Sequence, residues 1–330
     1  MKIYMKRSIH ISFITVSKAI FIIIPFFSII VKAQTNELNN CNITWNSQSR
    51  NSAESMPCGG GDIGLNVWVE NEDILFYISR SGTFDENNAL LKHGRVRVKL
   101  SPNPFAGTYF KQELILKDGY VKINGLNGAL NASVNVWVDV FKPVVHVDVT
   151  SNKPVKAEAI YESWRYKDRP SLGRANNANS YKWAPPGEVK THKDSIVFKG
   201  NNVLFFHRNK PGVSVFDVTV KQQGMDQVKD QMYNPIKDLT FGGVMEGKNM
   251  VPAGITSATY IDTDFKAWKL QSKTGSNSHN INIYLHSQQS PTLSEWETAL
   301  QQVIKNAKSI YYGLEIHRFK AVTESHLNVL

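Results

Sequence analysis

The chain is 330 residues long, 42% hydrophobic and 20% charged, with a formal net charge of +10. Half of that charge sits at the start: residues 1–33 hold Lys2, Lys6, Arg7, Lys18 and Lys32 and no acid, so removing them lowers it from +10 to +5. The other Lys and Arg residues are scattered and form no nucleic-acid module, which argues against nucleic acid as a partner, and the two cysteines form no C-x-x-C pair, which argues against a zinc site.

The first element is a basic start, then the apolar run Ala19 to Val31, then Val31-Lys32-Ala33 before Gln34. These are the three parts of a secretory signal peptide, residues 1–33, with cleavage expected after Ala33. The run is 13 residues long, contains Pro25 and falls short of the roughly 20 needed to span a bilayer. Cys41 follows Asn39-Asn40 rather than a lipobox, so a lipid anchor is not expected. The expectation is a secreted or periplasmic protein with no membrane association after cleavage. In an oxidising compartment Cys41 and Cys58 could form one bridge near the mature N-terminus, although sequence alone does not show that they meet.

Strands follow in residues 34–290. In the first, Ile63, Leu65, Val67 and Val69 share one face, while Asp62, Gly64, Asn66 and Trp68 share the other. The same alternation predicts strands over Ile74–Ile78, Val96–Leu100, Glu113–Leu116, Val134–Val140, Val144–Val149 and Ala157–Tyr161, then Ser195–Phe198, Val203–His207, Val213–Gln222, Leu239–Met245, Ser257–Ile261 and Ile281–His286. Turn chemistry separates them at Lys117-Asp118-Gly119, Asn124-Gly125, Asn127-Gly128, Lys210-Pro211-Gly212 and Glu246-Gly247-Lys248. No long helices alternate with the strands, so the expected fold is all-β, a large antiparallel β-sandwich joined by hairpins.

One helix is expected late, over residues 291–313. Ser294-Glu295-Trp296-Glu297 reads as its capping box, and Trp296, Leu300, Val303, Ile304, Ala307 and Tyr311 form an apolar stripe. Such a stripe packs on the domain's own sheet or begins a linker to another domain. Residues 314–330 carry no clear motif.

Recognised catalytic signatures are missing: no G-x-S-x-G elbow, H-E-x-x-H, P-loop or dinucleotide fingerprint. The glycine-rich Cys58-Gly59-Gly60-Gly61-Asp62-Ile63-Gly64 precedes a strand and reads as a tight approach into it. Glycoside hydrolysis needs two carboxyl groups facing each other across a sugar, and Asp85-Glu86 is the most suggestive pair. Adjacent strand residues point to opposite faces, so these two could cooperate only in an irregular loop; the plainer reading is a polar loop with Asx turns. Glu70, Glu72 and Asp73 read as a solvated hairpin tip. Asp262-x-Asp264 offers too few ligands for calcium, and neither metal nor cofactor is expected.

The segment from Tyr161 to Pro170, with Trp164, Arg165, Tyr166 and Asp168, and then Trp183, is richer in aromatics and charge than its surroundings. Interdomain contact, rings capping the core, and sugar binding all use this mixture. His207 and Arg208 close a strand and could line the same cleft, although a lone His at a strand end is more often hydrogen-bonded structure.

The stretches Trp45 to Gly64 and Ser79 to Asn87, with Tyr161 to Pro170, Phe206-His207-Arg208-Asn209 and Leu239-Thr240-Phe241-Gly242-Gly243, resemble an N-terminal domain of unknown function in secreted bacterial glycoside hydrolases. The resemblance spans about residues 42–290. More distantly, the entry Pro57-Cys58-Gly59-Gly60-Gly61-Asp62-Ile63-Gly64 and its hairpin are similar to the N-terminal domain of family 95 fucosidases. The resemblance implies a galactose-mutarotase-like super-sandwich preceding an (α/α)6 catalytic barrel that carries the acids. The chain stops at Leu330, where linker helices would lead into the barrel. It is therefore expected to lack the catalytic domain and to be inactive alone, with no catalytic residue of its own and with a glycan or a separate (α/α)6 domain as partner. A free-standing carbohydrate-binding module using Trp164, Arg165, Tyr166 and Trp183 is the alternative.

Overall fold

The computed structural model describes residues 38–173, 178–181 and 188–309. The expected signal peptide, Trp183 and the C-terminal tail lie outside these residues. Alternation becomes strands: β1 (Ile43–Trp45), β2 (Met56–Gly60), β3 (Ile63–Glu70), β4 (Asp73–Arg80), β5 (Gly94–Ser101), β6 (Tyr109–Ile115), β7 (Tyr120–Asn127), β8 (Leu130–Val138) and β9 (Val144–Ser163). After them come β10 (Arg169–Pro170), β11 (Lys190–Thr191), β12 (Ser195–Lys199), β13 (Asn202–Arg208), β14 (Leu239–Gly247), β15 (Met250–Tyr260), β16 (Thr263–Ser272) and β17 (Ser276–Gln289). Two helices, α1 (Val215–Gln222) and α2 (Leu293–Lys308), complete the set used here.

All pairings named among these strands are antiparallel, as the hairpin turns require. One sheet runs β1-β6-β7-β8-β9-β17-β14-β13-β12 and the other β2-β3-β4-β5-β9-β16-β15. β9 belongs to both. Val144 to Ser151 pair with β8 and β17, whereas Lys156 to Ser163 pair with β5 and β16. Between the halves the register with β17 shifts, at the exposed stretch around Asn152, Lys153 and Pro154. Proline lacks the N–H a ladder needs, so the corner falls where pairing is already interrupted.

The core lies between the sheets. From one side come Val121, Ile123, Val134, Val136, Val145, Phe205 and Ile283, from the other Leu65, Val67, Phe76, Val96, Ala159 and Leu270. Tyr161 stacks on Phe205 at 4.1 Å across the gap. Burying each large side chain stabilises the fold by about 1.5–3 kcal/mol. In β14, Gly243 allows close strand approach, because a Cβ there would collide with the Tyr284 carbonyl oxygen.

Helix α2 lays Trp296, Leu300 and Ile304 on the outer face of the first sheet, against Val144, Leu204, Val244 and Tyr284. The described part of the stripe thus has its own sheet as partner, and Tyr311 lies outside the described residues. Lys142 Nζ donates to the carbonyls of Asn306 and Ala307, satisfying acceptors of the last turn. Among the described residues, no helix is long and apolar enough to cross a membrane.

Several local expectations are corrected. The segment Val213–Gln222 is not a strand: Asp217 accepts hydrogen bonds from the Ser214 N–H and Oγ, each at 2.7 Å, and starts helix α1. With only Val220 buried, no sheet face rewards its alternation. The cap of α2 is Thr292, two residues before the expected Ser294, and its Oγ1 accepts the Glu295 N–H at 3.2 Å. Asn124-Gly125 lies inside β7, whereas Asn127-Gly128 makes the turn into β8 with Gly128 at φ +57. The two cysteines are free thiols: Cys41 is exposed, and the Cys58 thiol is buried and donates to the Val136 carbonyl at 3.7 Å.

Candidate functional site

Three long connections meet at one end of the sandwich: β4 to β5, β9 to β12, and β13 to β14. Their contacts are backbone-anchored. Ser180 N donates to the Asn87 carbonyl, Val215 N to the Glu86 carbonyl, and Asn209 Nδ2 to the Phe84 carbonyl. Beneath them runs a buried ionic chain. Arg165, just past β9, forks onto Asp194 at 2.9 and 3.0 Å; Asp194 Oδ1 meets His207 Nδ1 at 3.1 Å; His207 Nε2 faces Glu86 Oε2 at 3.7 Å. The Glu86 Oε1 atom accepts the Lys210 N–H at 2.5 Å.

Each group in the chain is tuned by the others. Burial alone would lower the His207 pKa, but Asp194 and Glu86 outweigh it and hold it up at about 9, so the imidazole is protonated at neutral pH. Burial would raise Asp194 and Glu86, yet Arg165 and His207 keep the former, and His207 and the Lys210 N–H the latter, below the usual range. Asp85 differs. Burial raises its pKa, only partly offset by the Ala89 N–H, and its Oδ1 accepts the N–H groups of Asn87 and Ala89, an Asx turn.

Above Glu86 lies a polar cleft of about 390 Å³, lined also by Asn209, Lys210, Asp217, Lys229 and Asp238. A second cleft of about 390 Å³ lies on the outer face of the β2-to-β15 sheet. Strand register builds its floor: Tyr77 pairs opposite Arg95 and Arg95 opposite Glu162, so one lateral row carries all three. Arg95 is salt-bridged to Glu162, whose Oε1 also accepts Arg97 Nε at 2.7 Å. The Arg95 guanidinium lies 4.0 Å from the Tyr260 ring centroid and 5.0 Å from that of Phe265. Trp164 meets Tyr77 edge-on at 5.9 Å, and Lys92 Nζ sits 4.6 Å over the Tyr77 ring.

The aromatic segment is thereby divided. Trp164 turns to the outer cleft, and its neighbour Arg165 turns inward to Asp194. Tyr166 packs on the core edge among Lys167, Arg169 and Lys266. The exposed Asp168 accepts the Lys193 N–H at 2.9 Å and pairs with His192 at 3.2 Å, which holds its pKa down at about 2. Arg208 is a brace: it donates to Thr240 Oγ1 at 2.6 Å and to the carbonyls of Ser290 and Pro291, joining β13, β14 and the approach to α2. Structure thus brings Arg165, His207 and Glu86 together and leaves Trp164, Tyr166, Asp168 and Arg208 outside that chain.

Sequence reasoning missed Asp194 and Arg95, and it held Glu162 only as one member of the segment from Tyr161 to Pro170. Asp194 stands in a plain polar stretch, and Arg95 and Glu162 alternate as outward strand positions, a pattern identical to solvated charge. Asp73, read as part of a solvated hairpin tip, is buried against Arg97 at 2.7 Å. Among the described residues no three His, Cys, Asp or Glu side chains gather as a metal site.

No curated protein matches the chain. A solved structure titled "Putative kojibiose phosphorylase from human microbiome" is similar at 10% identity and a TM-score of 0.45, covering 85% of this chain and 37% of its own length. Residues 44–317 match the family described as domain of unknown function (DUF5703), in its N-terminal model. Because that match spans well over half of the 330 residues, the chain belongs to the N-terminal DUF5703 family.

Proposed function

We propose that this chain is a secreted accessory domain of a polysaccharide-processing glycoside hydrolase, which presents its loop-bearing end to a catalytic (α/α)6 domain and supplies no catalytic acid. The observation that carries this reading is the buried Arg165–Asp194–His207–Glu86 chain. Its carboxylates are held ionised by one another's partners and lock the three loops together, and Asp85, whose pKa burial raises, has its Oδ1 tied to the N–H groups of Asn87 and Ala89, whereas a glycosidase needs one carboxyl kept protonated and a second aimed across the sugar. A locked loop end suits docking. Leu90, Leu172, Val213 and Tyr233 are exposed on these same loops, the apolar element of an interdomain contact.

Product analysis after long incubation of the purified chain with a panel of polysaccharides tests this reading. No released sugar is expected, and release that Glu86→Gln abolishes would overturn it. Docking is tested by sedimentation of the chain mixed with a separately produced (α/α)6 hydrolase domain. Val213→Ser with Tyr233→Ser should weaken the complex about tenfold, and equal sedimentation of both forms would remove the loop end from the contact.

A further inference from the structure

The outer-face cleft uses none of the four residues of the ionic chain, so its role stands apart from docking. Its walls are the rings of Tyr77, Trp164, Tyr260 and Phe265, and its rim carries Ser52, Lys92, Asp262 and Thr263. Its volume falls within the roughly 300–1,000 Å³ usual for small-molecule sites. Such a site has to be read by charge first. Arg95 and Glu162 are both buried and neutralise each other, and Arg97, which holds the second Glu162 oxygen, is itself paired with Asp73. At the rim, Lys92 and Asp262 have opposite signs. An anion would therefore find no unpaired buried cation, and a cationic ligand would meet Arg95 and Lys92. What the cleft offers is ring surface beside hydroxyl, ammonium and carboxylate groups. That combination matches a neutral molecule with apolar C–H faces and many hydroxyls. The floor is already ordered, since Tyr260 and Phe265 clamp the Arg95 guanidinium, and a pre-organised site loses less freedom on binding.

We propose that this cleft binds neutral pyranose chains, so that the domain holds a polysaccharide directly on the outer face of its β2-to-β15 sheet. The ring of Trp164, set edge-on against Tyr77, stacks on a sugar face, and Lys92 and Asp262 bond the hydroxyls.

Calorimetric titration of the full chain with xylohexaose, cellohexaose, mannohexaose and maltohexaose, with an oligogalacturonate as the charged comparator, tests the proposal. A neutral hexaose should bind and the oligogalacturonate should not. Trp164→Leu should weaken that binding at least tenfold. Lys92→Ala and Asp262→Asn, on the rim and free of core packing, should each weaken it several-fold with an unchanged melting temperature, so the test survives a Trp164 variant that folds poorly. Failure of every neutral hexaose to bind, binding of the oligogalacturonate alone, or affinity unchanged in all three variants would overturn it.

Discussion

His207 is 1% exposed and protonated at neutral pH, between Asp194 and Glu86. Its folded pKa of about 9 lies above the ordinary value of 6.5, so its stabilising contribution is fully present below pH 6.5 and is lost as pH rises through 9. By linkage this amounts to about 3 kcal/mol. Urea unfolding at pH 6 and pH 9.5 should show that loss in the native chain and little of it in His207→Gln; equal slopes in both would disprove the assignment. Asp194→Asn should destabilise by about 3–5 kcal/mol, because Arg165 would keep a buried charge without its counter-ion and His207 would be left with Glu86 alone. At this scale sequence showed the rich segments but not the pairings. Arg165 and His207 stand out as charge beside aromatic residues, yet their common partner Asp194 emerges only when the end of β9 and β13, on different sheets, converge.

Strand elements were legible because burial on one face writes a period of two into the chain, as in Ile63 to Val69. Where that burial is absent the same period misleads. Val213–Gln222 alternates as well as any strand, but the Ser214–Asp217 cap settles it as helix α1. Short pieces such as β1, β10 and β11 carry too few residues to show any period. The cap of α2 offers a direct check by denaturant unfolding. Thr292→Ala should cost about 1 kcal/mol, as loss of an N-cap does, whereas Ser294→Ala should change little. Gly243→Ala should lower stability more than either, since its Cβ meets the backbone of β17 and neither strand can yield without breaking the ladder.

At the scale of the whole molecule, the two sheets share β9 and one core. Calorimetry should therefore give a single unfolding transition, with van't Hoff and calorimetric enthalpies equal; two resolved transitions would mean that the sheets melt separately. The proposed export makes a second prediction. Mass spectrometry of exported material should place its first residue at Gln34, and an intact Met1 terminus would refute cleavage there.

The route of the chain through this shared strand also limits how the domain can be moved between genes. One sheet takes β1, β6 to β8 and β12 to β14 and β17, while the other takes β2 to β5 and β15 to β16, so each is woven from separate stretches of sequence. A recombination breakpoint anywhere from β2 to β16 leaves both sheets short of strands. The smallest piece that can be transplanted as a working module is the entire sandwich, and grafted segments will succeed only as loops at its ends.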